Sequence, residues 1–422
     1  MINLHASSLL FFQLAFILAV CRAMGWVARK IRQPQVVAEM IAGAMLGPSL
    51  FGLLFPVFQV KVFPKESMGI LHALSQIGLI LYMFLVGLEF RADFIRKRLR
   101  SAASVSLAGV LAPLCLGGLL AIAPISHQEF FTSNVTPWQR FFFLGAAMSI
   151  TAMPVLARIL GERGLTGTSL GTLALAAGSI DDAMAWCLLA VVLSCSNGHP
   201  GAAIWVALGG LLYVGMVFLP LKSLFRRVGE LAENRQEVSG RMFSFTLIAL
   251  MLSAWFTDAI GIYAVFGAFI LGTAMPRGVF SREMSDKLAP MTHHFLLPLY
   301  FVYSGLNTRI DLLNSPRLWG IALLVFLASC SGKGIACWLA ARWHGESSRD
   351  ARAIGTLMNA RGLMELILLN IGLERGIITP TLFTILVLMA LATTVMALPL
   401  FDWVYGREEE RVLAGTQAPD NA

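Results

Sequence analysis

An α-helix needs about 20 mostly apolar residues to cross the hydrocarbon core of a bilayer. Stretches of that length and character, separated by short polar intervals, recur along the whole of this sequence. They predict thirteen spans, at roughly 7–27, 36–54, 69–90, 102–124, 139–161, 170–194, 201–221, 241–257, 259–275, 289–306, 317–341, 352–374 and 380–403. The first has no basic leading segment and no small-residue cleavage site ahead of the RKIR cluster, so it reads as a span rather than a cleavable leader. The predicted class is an all-α polytopic membrane protein.

Composition agrees. Of 422 residues, 57% are hydrophobic and only 13% charged, about half the charged share of a globular chain. An ordinary soluble protein, a disordered chain, collagen and a coiled coil are all excluded. Cys21, Cys115, Cys187, Cys195, Cys330 and Cys337 sit in apolar runs without metal or disulfide spacing and read as inert thiols. The net charge of +8 is explained by topology. Of the 32 Lys and Arg, 23 lie on connections or tails that follow odd-numbered spans, and six (Lys61, Lys65, Arg140, Arg309, Arg317, Arg375) lie on the opposite loops. Basic loops stay in the cytoplasm, which puts the N-terminus outside and the C-terminus inside a cell membrane. No nucleic-acid partner is needed to account for the charge.

What remains are the charges at membrane depth: Arg22, Lys333 and Arg361 on one side of the balance, Glu39, Asp181, Asp182 and Glu365 on the other, with Glu89 near a cytoplasmic end. Such groups are expensive in lipid and face a bundle interior or a wet cavity. Thirteen spans divide into six, a linker span and six. Equivalent spans are then seven apart, and the two halves have inverted topology, as in many secondary transporters. Span five contains Ser149-Ile150-Thr151-Ala152-Met153-Pro154, and span twelve, its equivalent, contains Asn359-Ala360-Arg361-Gly362. Each is a plausible break in mid-membrane, where Pro removes a backbone donor and polar groups cover the freed ones. Two crossed discontinuous helices are therefore expected, their half-helix ends offering partial charges to an ion. A simple kink in a packed helix is the bland alternative.

Asp181 and Asp182 are adjacent in span six, so on a helix their side chains point about 100° apart. One can face a cavity while the other meets a neighbouring helix. A carboxylate is a hard ligand for a hard cation and also holds a proton, which makes cation-for-proton exchange possible at one group. Lys333, between Gly332 and Gly334, pairs with a carboxylate, or is partly neutral through a depressed pKa, or snorkels to the cytoplasmic interface. Arg361 and Glu365 are four apart and can pair along span twelve. Gly43-xxx-Gly47-Pro48 in span two suits close helix packing, and His293 and His294 read as interfacial side chains or as pH sensors.

These motifs together are similar to those of the monovalent cation:proton antiporter-2 family, within the cation:proton antiporter superfamily. The resemblance covers residues 8–403 and rests on Ser149-Ile150-Thr151-Ala152-Met153-Pro154-Val155-Leu156-Ala157-Arg158, Ile180-Asp181-Asp182, Pro298-Leu299-Tyr300-Phe301 through Ser304-Gly305-Leu306, Gly332-Lys333-Gly334-Ile335 and Asn359-Ala360-Arg361-Gly362-Leu363-Met364-Glu365-Leu366. It implies a Na+- or K+-for-proton antiporter, not an enzyme, without a resident cofactor, and usually a homodimer in membrane lipid. A transmembrane domain over 1–403 would comprise core helices at about 102–194 and 317–403, moving like an elevator against dimerisation helices at about 7–90 and 201–306. Residues 404–422 would be a short polar cytoplasmic tail. Asp182 would bind cation and proton competitively, with Asp181, Thr151 and Ser149 completing the cation- and proton-binding set. Asp181 would form a salt bridge with Lys333 that breaks as the cation enters, and Arg361, Glu365 and Asn359 would support the site. Paired aspartates with this lysine imply electrogenic exchange. No Gly-rich dinucleotide fingerprint follows a strand, so nucleotide regulation within this chain is not expected.

Three other functions fit parts of the pattern. An intramembrane aspartyl protease also has two embedded aspartates, but it needs them face to face from different helices, sharing one proton. A sodium-coupled organic-solute symporter of similar build needs more polar side chains for its solute. A passive channel has no use for a coupled carboxylate and lysine.

Overall fold

The structure, a computed structural model, describes residues 4–30, 33, 35–48, 50–89, 98–123, 127–165, 168–196, 200–260 and 263–406. The basic run at 91–97 and the tail beyond 406 lie outside them. The described residues are almost wholly helical and divide into two compact units, one of residues 1–28, 38–91 and 189–311, the other of residues 29–37, 92–188 and 312–422.

The second unit carries the polar motifs. Its helices are α1 (Leu99–Ile122), α2 (Pro137–Ser149), α3 (Met153–Glu162), α4 (Ser169–Ser196), α5 (Pro316–Trp343), α6 (Ser348–Leu357), α7 (Leu363–Glu374) and α8 (Pro380–Phe401). Local sequence sets where several of them start. Thr136-Pro137, Ser315-Pro316 and Thr379-Pro380 each place a hydroxyl at the cap and a proline at the first helical position. The hydroxyl accepts an otherwise unpaired N–H, and proline has none to leave unpaired.

Spans five and twelve are each cut in two, as their polar interruptions predict. Ile150 leaves the helix for extended backbone (φ −68°, ψ 134°), and α3 begins only at Met153. In span twelve, α6 ends at Leu357 and α7 begins at Leu363. The two breaks satisfy each other. Ala152 N–H donates to Ala360 C=O at 2.9 Å. Thr394 on α8 braces the second break, accepting from Arg361 N–H at 3.2 Å and lying 2.9 Å from Arg361 C=O. Backbone freed from helix in a membrane must find such partners. Beyond the breaks, an isolated antiparallel bridge joins Phe131 to Ile378, tying the segment that leads into α2 to the one that leaves α7.

Eight described helices are long and apolar enough to cross a membrane, corresponding to spans one to four, seven, eight, eleven and thirteen. The broken spans are missing from this set because neither half is long enough. Span nine is an apolar helix of 11 residues, Ala264–Ala274. Span ten is divided by a wide turn at Thr292–Leu296, which separates Val279–Met291 from Leu297–Leu306.

In the first unit, the glycines of span two are packing positions. A methyl group on Gly43 would lie 2.4 Å from Phe301 O, and one on Gly47 2.6 Å from Gly305 O, so the two backbones touch where no side chain fits. His293 meets the ring of Tyr82 edge-on, with centroids 5.7 Å apart.

Candidate functional site

Four helices of the second unit bring polar atoms to one point. Asp181, on the unbroken helix α4, is almost fully buried. Its Oδ1 accepts from Ser106 Oγ on α1 at 2.5 Å, and its Oδ2 lies 2.7 Å from Thr151 Oγ1 and 3.0 Å from Lys333 Nζ. Thr151 stands in the first break, and its hydroxyl is also 3.1 Å from Met358 O beside the second. It has one proton and serves one acceptor at a time.

Lys333 does not snorkel. Its side chain is fully buried, and the ammonium spends its three protons on Asp181, on Gly109 O of α1 at 3.0 Å and on Ser149 O at the end of α2. A buried ion pair recovers its desolvation cost only when remaining donors and acceptors are filled, and here they are filled from three sides. Gly109 lets α1 lie close to α5: a methyl there would lie 2.5 Å from Cys337 Sγ.

Asp182 points elsewhere, as adjacency on a helix requires. It is 3% exposed, accepts from the backbone N–H of Met153 at the start of α3, and its Oδ1 has no hydrogen-bond partner. The positive end of a half-helix favours a negative group at that place. Of the two carboxylates, therefore, one is locked by a lysine and two hydroxyls, while the other keeps one oxygen without a hydrogen-bond partner among the described residues. This asymmetry is unlike the two matched carboxylates sharing one proton that an aspartyl protease requires.

The remaining candidates surround this centre rather than join it. Ser149 contributes its backbone oxygen to Lys333, while its hydroxyl turns to Gly145 O at 2.6 Å and Val110 O at 3.0 Å. Asn359 donates to Gly355 O at 3.1 Å and Cys330 O at 3.4 Å, not to either aspartate. Arg361, fully buried, donates to Ala147 O at 2.8 Å, to Met148 O at 2.5 Å and to Ser329 Oγ, with Glu365 Oε2 at 3.3 Å. It therefore covers the carbonyls at the C-terminal end of α2, which a broken helix leaves exposed.

Ser106, Ser329 and the Gly109 carbonyl are absent from the sequence-derived set. A serine in an apolar span carries no signal of its own, since its hydroxyl can return to its own helix, and a backbone carbonyl carries none at all. Replacing Ser106 with Ala removes one donor to a buried carboxylate. The expected cost is about 1.5–3 kcal/mol, read as a lower unfolding temperature of the purified protein.

The sequence pattern of the family described as "Sodium/hydrogen exchanger, transmembrane" matches residues 15–403. The chain is 40% identical over 392 residues to the Na(+)/H(+) antiporter NhaS4 of Synechocystis, covering 92% of this chain and 95% of that one. It is 35% identical to K(+)/H(+) antiporter 1 of Saccharomyces cerevisiae over 98% of its own length but 49% of the yeast protein's. It likewise spans about half the length of the plant cation/H(+) antiporters it matches. Among solved structures, the sodium proton antiporter MjNhaP1 of Methanocaldococcus jannaschii superposes with a TM-score of 0.65 over 94% of this chain and 97% of that one, at 16% identity, a likeness of fold. The broken helices, the buried charges and these similarities agree: the chain is a multi-pass membrane protein that belongs to the sodium/hydrogen exchanger family.

Proposed function

We propose that the chain exchanges a monovalent cation, Na+ or K+, for protons across a membrane by alternating access, with Asp182 as the group that holds either cargo. The observation that carries this reading is the difference between the two aspartates. Asp181 is fully engaged, whereas Asp182 has an unpartnered Oδ1 at the mouth of half-helix α3. A proton on Asp182 removes the charge that attracts a cation. A cation on the carboxylate excludes the proton. One group thus enforces exchange, because it cannot carry both at once.

Lys333 and Asp181 have a second part in the cycle. An arriving cation competes with the ammonium for the carboxylate oxygens, so the ion pair opens as the cation enters and closes as it leaves. The pair of aspartates beside this lysine is the basis of the electrogenic reading, in which net charge crosses the membrane in each cycle. The relatives' names divide between sodium and potassium, so the substrate class is the monovalent alkali cation. A homodimer in lipid, with the N-terminus outside and the C-terminus cytoplasmic, is the state that charge distribution and family resemblance support.

Purified protein in proteoliposomes with a preset pH gradient provides the test. Na+, K+ or Li+ is added outside, and dissipation of the gradient is compared for the wild type and Asp182→Asn. The wild type is expected to dissipate the gradient with at least one cation, and the variant with none. Failure of every cation, or a variant that matches the wild type, defeats the proposal. Wild-type flux that ignores an imposed membrane voltage defeats the electrogenic part alone.

A further inference from the structure

Glu365 has no task in that scheme, yet it is buried as completely as Lys333. It occupies the first turn of α7. Arg361 Nη1 reaches its Oε2 at 3.3 Å, and its Oε1 has no donor. A permanently ionised carboxylate at such depth normally collects several donors, because an unpaired charged oxygen costs more than an unpaired neutral one. Among the described residues Glu365 has one, and that one is long.

Nor does the arginine belong to it. The shorter bonds of Arg361 run to Ser329 Oγ and to Ala147 O and Met148 O, the last two at the end of α2, which carries partial negative charge. One guanidinium is therefore divided between an acid and a helix end. Two features favour the ionised acid: Arg361 and the N-terminal end of α7. Complete burial and the bare Oε1 favour the neutral form. Among the described residues no other charge decides the matter. From α2 come carbonyls, and its single charged residue, Arg140, is bonded to Val135 O at the opposite end. Residues 380–401 of α8 include no charged side chain, and α5 offers Lys333, which is committed to Asp181, Gly109 and Ser149. The aspartates of α4 are bonded to Ser106, Thr151, Lys333 and Met153.

We propose that Glu365 is a second proton-binding group of the exchanger, a positioning residue that acts on the cation site through Arg361 and the end of α2. When protonated, Glu365 makes little claim on the guanidinium. Arg361 then stays on the Ala147 and Met148 carbonyls and holds the end of α2, so that Ser149 O remains on Lys333 and the lysine on Asp181. When Glu365 releases its proton to water, its carboxylate draws Arg361 towards itself. The end of α2 is held less firmly, Lys333 loses part of its support, and a cation competes more easily for Asp181. The direction is fixed by the sign of the charge: loss of the Glu365 proton at alkaline pH favours cation entry. This inference rests on the exchange reading above and adds to it a second titrating group that never touches the cargo.

Competition at one carboxylate makes the cation KM fall about tenfold per pH unit below that group's titration, and a second proton linked to cation entry makes the limiting fall about a hundredfold. The experiment measures cation-dependent proton flux in proteoliposomes across acidic to alkaline pH for wild type, Glu365→Gln and Glu365→Asp. The amide mimics the protonated acid, so E365Q is expected to show the one-proton slope. E365D, still an acid, is expected to keep the steeper one. Superimposable slopes for wild type and E365Q overturn the inference. A wild type without any cation-dependent flux overturns the exchange reading instead. A second measurement does not depend on transport: infrared titration of purified Asp182→Asn protein. A protonated-carboxyl band that titrates, and that is lost when E365Q is added or moved when E365D is added, supports the assignment. Absence of any such band overturns it.

Discussion

Lys333→Gln is expected to destabilise the protein by about 3–5 kcal/mol, because it strands the Asp181 carboxylate in a place where water cannot reach it. Both side chains of the pair are fully buried. Glutamine still offers an N–H to the Gly109 or Ser149 carbonyl, but it brings no charge. The larger part of the loss is thus the orphaned carboxylate rather than missing packing. Adding Asp181→Asn is therefore expected to recover most of the stability, since removing both members of a buried pair costs far less than removing one. Thermal unfolding in detergent, followed by intrinsic fluorescence for the two single variants and the double variant, measures the coupling. A double variant no more stable than Lys333→Gln alone would show that the pair is not what holds these helices.

Gly305→Ala has a comparable expected cost from a different cause. A methyl at Gly305 would lie 2.1 Å from the carbonyl carbon of Gly43 and 2.4 Å from Ala44 N. These are backbone atoms, so no rotamer change relieves the clash and one helix must move. Overpacking a well-fitted interior typically costs about 1–3 kcal/mol and sometimes more, and contact with backbone rather than a movable side chain places this substitution at the upper end. Gly320→Ala is the matched control. That glycine lies in α5 with nothing within 4 Å of an added methyl, so alanine is expected to leave stability unchanged or raise it by up to about 1 kcal/mol through helix propensity. Equal melting temperatures for Gly305→Ala and wild type would mean that spans two and ten are not in the contact described. Double substitution of Gly43 and Gly305 should be no worse than the sum of the singles, since one separation of the helices serves both.

The exchange reading and the Glu365 inference separate two uses of buried acid. In the proposed scheme Asp182 trades its proton for the cargo. Glu365, with its partial hold on Arg361, acts on the end of a helix. Both depend on broken spans, because an intact helix has no free carbonyls for Arg361 to cover and no exposed N–H to meet Asp182.

Several features were legible in the residues themselves. The apolar runs prescribe a membrane, since nothing soluble could bury so much apolar surface. Polar residues at Ser149–Pro154 and Asn359–Gly362 prescribe breaks, because a proline or a glycine next to hydrogen-bonding side chains is where a helix in lipid gives way. Adjacency of Asp181 and Asp182 requires them to diverge. These are local or compositional facts, fixed by bond geometry and by transfer from water.

Only the tertiary structure decided how the charges divide. Which aspartate takes Lys333, that Ser106 and the carbonyls of Gly109 and Ser149 complete its shell, and that Arg361 serves the end of α2 more than Glu365 all depend on helices far apart in sequence. Lys333 meets Asp181 across 152 positions and Gly109 across 224. A helix fixes the angle between neighbouring side chains but not the direction in which either points within a bundle, and backbone carbonyls have no sequence signature. Packing assigns those directions, and with them it separates the carboxylate that is held on both oxygens from the one with an unpartnered oxygen.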